Sequence, residues 1–155
     1  MIRIANEEDI NDIMKLLVQV NMVHHTIRPD LFNGPATKYS WGELEKMVND
    51  SSNPIFVYAS GEHVLGYAIC QTIQHKKDNI LTDVKTLYID DLCVDEKERG
   101  RHIGRSIYDY VINYAKENDY YNVTLNVWNG NDSAMKFYES VGLTVQKVGM
   151  EKILK

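Results

Sequence analysis

The sequence has few cysteines and no spacing of residues that is typical of a metal site. Its 155 residues include two cysteines and five histidines. Cys70 and Cys93 stand alone inside apolar runs, so we expect two buried, reduced thiols and not a disulfide. The histidines and cysteines lack zinc-ligand spacing, and we predict no metal. A chain of this length needs no such staple, because it buries about 68–70% of its unfolded surface.

The chain also lacks an excess of basic residues and a long hydrophobic run. Lys and Arg total 17 against 22 Asp and Glu, which gives a formal net charge of −5. Nucleic-acid binding needs a basic face that displaces counterions, so we predict no nucleic-acid partner. No apolar run approaches the length of about 20 residues that spans a bilayer, and the first nine residues contain no apolar signal core. We therefore predict a cytoplasmic protein with no membrane partner.

Periodicity along the chain predicts a mixed α/β fold. No repeat, low-complexity tract or linker divides the sequence, which predicts one domain over residues 1–155. Ser40 and Glu43 form a capping-box pattern at the start of the second helix. The predicted order is β-α-α-β-β-β-α-β-α-β, in which the last position stands for one or two closing strands after Gly142. Predicted strands before those cover 1–5, 55–60, 63–74, 84–94 and 121–127.

The segment that follows Val94 is a candidate anion site. After a charged turn, residues 99–104 lead into a predicted helix. The first turn of a helix combines free N–H groups with the positive end of the macrodipole, and both attract anions. Arg99, Arg101 and Arg105 add donors for phosphate oxygens. From these residues alone, a solvated turn with surface arginines is an equally good interpretation.

The same segment resembles the acetyl-CoA pyrophosphate loop of the GNAT superfamily of N-acetyltransferases. That loop reads Arg or Gln, two residues, Gly, any residue, then Gly or Ala; Arg99 matches the first position and Gly104 the last. His102 stands where the family usually has its first glycine, and it keeps its N–H as a donor provided that its φ is not forced positive. The pyrophosphate-binding residues that the resemblance implies are Arg99, Gly100, Arg101, His102, Ile103, Gly104 and Arg105.

A second stretch, residues 125–143, resembles the last motif of the same superfamily. That motif is a strand, then Asn, Ala, an aromatic-Tyr pair and a closing Gly, and Asn131, Ala134, Phe137, Tyr138 and Gly142 occupy these positions. With the order of the N-terminal elements, the resemblance covers essentially the whole chain. It implies a GNAT-like central mixed sheet of six to seven strands, flanked by about four helices.

The resemblance also implies how acetyl-CoA is held. In the GNAT fold the strand before the loop separates from its neighbour, and its backbone pairs with the pantetheine arm. Here that strand covers residues 89–94, with a backbone N–H near Cys93 facing the thioester carbonyl and with Leu92 and Val94 as further contacts. Asn131 and Ala134 are further implied contacts, and Asn131 bonds the cofactor, caps the last helix, or does both.

Tyr138 occupies the position of the family's general acid, where a phenol protonates the departing thiolate. A structural tyrosine is the alternative. The base is less defined. Asp90 and Asp91 are adjacent on a predicted strand, so we expect their side chains on opposite faces. At least one of them is a candidate base, and paired acids before this loop resemble those of polyamine-acetylating members; a strand-end salt bridge is equally plausible.

The acceptor side has no motif of its own. His24 and His25 stand at the end of the first helix as candidate bases or substrate contacts, although surface histidines are the plainer interpretation. Trp128 with Asn129 resembles polyamine-acetylating members. Members that act on protein N-termini often have Glu at the position of Asn126, which disfavours that substrate here. Further residues that we expect around the acceptor pocket are Arg28, Asp30, Phe32 and Tyr39.

The function implied is acetyl transfer from acetyl-CoA, as cosubstrate, to a primary amine. We expect a small-molecule acceptor, polyamine-like or an amino sugar, and direct attack in a ternary complex. Acetylation of a protein lysine or N-terminus is one alternative, and a non-catalytic CoA-binding module is another. Superfamily members are often dimers, so a homodimer is an expected arrangement, although no sequence feature marks an interface.

Overall fold

The computed structural model describes all 155 residues. The five strands, in chain order, are β1 (Ile2–Ile4), β2 (Ile55–Ser60), β3 (His63–Gln74), β4 (Lys85–Val94) and β5 (Asn122–Thr124). The four α-helices are α1 (Ile10–Ile27), α2 (Trp41–Val48), α3 (Ile103–Glu117) and α4 (Asp132–Ser140). One sheet runs in the order β1-β2-β3-β4-β5, antiparallel throughout except for the parallel pair of β4 and β5. The mixed α/β prediction is confirmed.

Local side-chain chemistry determines where two of the helices begin. The Ser40 hydroxyl accepts a bond from the Glu43 N–H and the Glu43 carboxylate accepts one from the Ser40 N–H, both at 3.1 Å, so the predicted capping box is present. The Asn131 side chain accepts from the Ala134 N–H at 3.3 Å and caps α4. None of the four helices combines the length and hydropathy needed to cross a bilayer.

The sheet separates two apolar clusters, one on each face. One cluster packs α1 and α2 against the sheet through residues such as Leu17, Leu44 and Tyr67, and the other packs α3 through Leu87 and Ile107. All five side chains are fully buried. Both cysteines are free and buried, as predicted. Helices therefore cover both faces of the sheet.

The predicted count of six to seven strands is wrong, because the sheet has five. The strand expected over 121–127 is limited to Asn122–Thr124, and the closing strands after Gly142 do not form. Residues 144–155 make no backbone–backbone hydrogen bond. An extended segment becomes a strand only when another backbone edge pairs with its N–H and C=O groups. No strand edge pairs with residues 144–155.

Candidate active site

β4 and β5 separate partway along β4, at one edge of the sheet. Their parallel pairing joins Thr86, Leu87 and Tyr88 to β5 and stops there, while β4 continues to Val94. Residues 89–94 are therefore paired with β3 on one side and have no strand on the other. An open backbone edge of this kind can add an extended ligand as an extra strand. This is the separation that the resemblance implies for the pantetheine arm.

A cavity of about 250 Å³ lies beyond the end of β4, at the beginning of α3. The backbone N–H groups of Ile103, Gly104 and Arg105 have no backbone acceptor, as is usual for the first turn of a helix. These donors and the positive end of the α3 dipole suit an anion. Arg101 does not line the cavity and pairs instead with Glu98. The lining residues are Val94, Glu98, Arg99, Gly100, His102, Ile103, Gly104, Arg105 and Phe137.

His102 adopts a left-handed backbone conformation, with φ of +61° and ψ of +21°. The sequence-based condition that its φ is not forced positive is therefore not met. A residue other than glycine pays roughly 1–2 kcal/mol in this region, although histidine is among those found there more often. The loop thus follows a path suited to glycine, with Gly100 also at positive φ (+82°), and the N–H groups of α3 still converge on the cavity.

A β-bulge places both acids of β4 on the same face of the sheet. Ile69 pairs with Asp91 whereas the next residue of β3, Cys70, pairs with Ile89, so Asp90 is an extra residue. A bulge re-aims a side chain in this way and is common beside active sites. The prediction that Asp90 and Asp91 leave opposite faces is therefore wrong, since both turn toward the α1–α2 side, where Tyr39 and Tyr67 lie.

The two carboxylates have different environments. Asp90 accepts from Lys38 Nζ at 2.8 Å and from the Tyr39 hydroxyl at 2.6 Å, and its side chain is 8% exposed. Asp91 accepts from the buried Tyr67 hydroxyl at 2.6 Å. Burial, with the nearby charge of Asp90, raises the pKa of Asp91 to about 6. Asp90 is therefore held in an ion pair, whereas Asp91 gains and releases a proton close to neutral pH.

Tyr138 lies on α4 and is partly buried. Burial and the negative charge of Asp91 raise the pKa of its phenol, so the hydroxyl keeps its proton at neutral pH. The charge of Asp91 therefore lies close enough to Tyr138 to act on the proton of its phenol. Burial likewise raises the pKa of the Cys93 thiol to about 12, and this thiol donates to the Leu16 carbonyl at 3.6 Å. The Cys93 side chain is therefore structural.

An aromatic wall is built from the end of α1, the loop that follows it and the segment after β5. Phe32 lies between His24 and Trp128, with ring centroids 5.0 and 5.5 Å away. His25 Nδ1 lies 2.7 Å from the Phe32 carbonyl oxygen, so His25 positions the loop. Burial and the charge of Lys38 lower the pKa of His24, which is therefore neutral at physiological pH.

The GNAT acetyltransferase family model matches residues 20–143. The chain belongs to this family. A mutant of the BH1408 protein from Bacillus halodurans has 31% identity to the chain and a TM-score of 0.94, and the alignment covers 100% of this chain and 99% of that one. No curated protein sequence matches the chain.

More distant structures share the GNAT fold. An aminoglycoside acetyltransferase from an uncultured soil metagenomic sample, solved in complex with sisomicin, has 19% identity and a TM-score of 0.74 over 100% of this chain and 96% of its own. An acetyltransferase from Trypanosoma brucei has 18% identity and a TM-score of 0.71 over 99% of both chains. At these identities the similarity extends to the fold alone.

The structure brings together most of the residues chosen from the GNAT motifs. Leu92 and Val94 turn toward the α3 side, and Val94 reaches the cavity. Asn131 and Ala134 form the cap of α4. Arg28 forms ion pairs with Asp30 and Glu151. The sequence reasoning missed Lys38 and Tyr67, which bind the two acids from 52 and 24 residues away along the chain, because no local pattern marks them.

Proposed function

We propose that this GNAT protein transfers an acetyl group from acetyl-CoA to a primary amine of a small molecule, in a ternary complex. The observation that carries the proposal is the acid pair that the bulge of β4 brings to one face of the sheet, with Asp91 close enough to act on the pKa of Tyr138. Two carboxylates, a neutral histidine and an aromatic wall suit a cationic amine of polyamine or amino-sugar type, since aromatic faces and carboxylates both attract cations.

The site residues fit acetyl-CoA as the donor. The free edge of residues 89–94 accommodates an extended amide arm, and the cavity at α3 supplies N–H groups with Arg99 and Arg105 for the pyrophosphate. Acetyl-CoA supplies an activated acetyl carbonyl on a thiol leaving group. We propose that a backbone N–H of this β4 edge near Cys93 polarises that carbonyl.

Asp91 and Tyr138 then move the two protons that the transfer requires. Asp91 takes a proton from the bound ammonium group, which leaves a neutral amine as nucleophile. The amine nitrogen bonds to the acetyl carbon, the carbon–sulfur bond breaks, and the Tyr138 hydroxyl donates its proton to the departing sulfur. The new amide nitrogen then gives up its second proton, which restores the Tyr138 phenol, and the proton held by Asp91 is released to solvent. Asp90 pairs with Lys38 and so holds the acceptor loop against β4. Its charge also raises the pKa of Asp91.

The test combines thermal unfolding with acetyl-CoA and a thiol-release assay over polyamines, amino sugars and lysine peptides. Tyr138→Phe should lower kcat about 10²–10⁴-fold, the usual range for loss of general acid–base catalysis, while acetyl-CoA still raises the melting temperature. Tyr110→Phe on α3 is the matched control and should leave kcat unchanged. Stabilisation by acetyl-CoA without acetylation of any amine would identify a non-catalytic CoA-binding module, and transfer to peptides alone would overturn the small-molecule acceptor.

A further inference from the structure

Lys38 brings a primary amine of the chain itself to the acid pair of β4. Its Nζ donates to an oxygen of Asp90 at 2.8 Å, although the two residues are 52 positions apart along the chain. The Asp90 side chain is 8% exposed and that of Lys38 is 52% exposed, so the lysine reaches from a solvated loop to a nearly buried carboxylate. Lysine suits this reach, because its charge stands at the end of a flexible stem. An amine therefore already lies beside the acids that we assign to the acceptor.

The surroundings of the Lys38 ammonium group match those that we propose for an external acceptor. Nζ lies 5.6 Å from the centroid of the Tyr39 ring, which adds a cation–π contact to the Asp90 carboxylate. Burial and the charge of Lys38 lower the pKa of His24, and the same charge opposes the rise that burial causes in the pKa of Asp91. Charge interactions weaken with distance, so Nζ lies near both groups. Lys38 therefore occupies the position of a bound cationic amine.

The loop that carries Lys38 has a second anchor on the same carboxylate. The Tyr39 hydroxyl donates to the other oxygen of Asp90 at 2.6 Å, and the next residue, Ser40, caps α2. An ammonium group has no free electron pair, so Nζ attacks a thioester only after it gives up a proton and leaves the carboxylate. Tyr39 holds the loop during this movement, and only the Lys38 side chain has to rotate.

We propose that Lys38 is a self-acetylation site: with acetyl-CoA bound and no external amine present, each chain acetylates its own Lys38 Nζ. This inference rests on the proposed function, which supplies the acetyl donor and both proton transfers. Asp91 takes one proton from the ammonium group, Nζ bonds to the acetyl carbon, the carbon–sulfur bond breaks, and the Tyr138 proton goes to the sulfur of the released CoA thiol. The second proton on Nζ restores the phenol, and Asp91 releases its proton to solvent. The acetylated side chain has no charge, so its ion pair with Asp90 is lost.

Peptide mass spectrometry of the full chain after incubation with acetyl-CoA alone tests the site. Lys38 should gain one acetyl group at least about tenfold faster than Lys15, because a held amine reacts faster than a free one. Lys15 is the matched control, since it also faces a carboxylate, Asp12 at 3.6 Å, but lies on α1 with 76% of its side chain exposed. Equal rates at the two lysines would mean uncatalysed acetylation of surface amines and would overturn the proposal.

Two further measurements separate self-acetylation from other routes. Tyr138→Phe should slow the modification of Lys38 about 10²–10⁴-fold, as it slows transfer to an external amine. The rate constant in the wild-type protein should not change on dilution, because the reaction occurs within one chain, and a rate that falls on dilution would instead mean transfer between chains.

The amine panel of the proposed function distinguishes the two proposals. An amine that the protein acetylates should slow the modification of Lys38, since both amines use one site. Acetylation of a panel amine with Lys38 left unmodified would overturn the self-acetylation site alone. Acetylation of neither the panel amines nor Lys38 would contradict the proposed function as well.

Discussion

The first three quarters of the chain and the last quarter differ in how many of their residues are buried. All 26 buried residues lie between Ala5 and Ala115, and none lies in the remaining forty residues. Yet the C-terminal part supplies Tyr138, Asn131 and Trp128 to the candidate site. The proposed base Asp91 therefore lies in the well-buried part of the chain, whereas the proposed acid Tyr138 lies on a helix that has no buried residue. The residues that form the buried core and several residues of the candidate site therefore come from different parts of the chain.

The largest expected effect contrasts a buried and an exposed side chain of α1. Leu17→Ala removes a fully buried side chain of α1 and should lower the free energy of unfolding by about 2–5 kcal/mol, measured by urea denaturation. Its neighbour Val18 is 37% exposed, and Val18→Ala should change the free energy by less than about 1 kcal/mol. Similar losses for the two variants would contradict the core as described.

The pH dependence of acetyl transfer sharpens the contrast between base and acid. Asp91 has a pKa of about 6 in the folded chain, so kcat/KM should fall about tenfold per pH unit below pH 6, because the base is then protonated. This limb should persist in the Tyr110→Phe control, since the raised pKa arises from burial and from the charge of Asp90. Asp91→Asn should remove the limb, and an acid limb that survives this substitution would assign the base to another residue.

The raised pKa of Asp91 also makes the free energy of unfolding depend on pH, in the opposite direction from most carboxylates. It lies above the unfolded value of 3.8, so the folded chain holds this proton more tightly than the unfolded chain does. The contribution of Asp91 to the free energy of unfolding is thus present below about pH 4 and is lost as the pH rises to about 6. Asp91→Asn should therefore melt at a higher temperature than wild type at pH 8, and a lower melting temperature would contradict the raised pKa.

The smallest expected effect concerns His102. Because its φ is +61°, His102→Gly should relieve backbone strain and raise the free energy of unfolding by up to about 1 kcal/mol, after the greater flexibility of glycine in the unfolded chain is subtracted. Gly34→Ala, in an open loop position with no atom within 4 Å of the added Cβ, is a control for glycine flexibility alone. Destabilisation by His102→Gly would mean that the histidine side chain makes a stabilising interaction.

Predictions from the sequence succeeded where a few neighbouring residues determine the structure. The capping box of Ser40 and Glu43 is of this kind, because its donors and acceptors are within one helical turn. The bulge at Asp90 was not predictable, since it is a register shift that depends on how β3 and β4 pair together. The predicted strand count was wrong for a related reason. Residues 144–155 form a strand only if they pair with another backbone edge, and a local pattern does not show whether such an edge is near.

The bond from Lys38 to Asp90 has a consequence for how acceptor preference changes among variants. The loop that we propose to face the acceptor also carries Lys38, whose positive charge opposes the rise of the pKa of Asp91 and lowers the pKa of His24. In the proposed site one side chain therefore acts on recognition and on proton transfer together. A substitution at Lys38 that adapts the loop to another amine therefore shifts the optimum pH as well. Selection for a new acceptor and selection for a working pH are not independent in this protein.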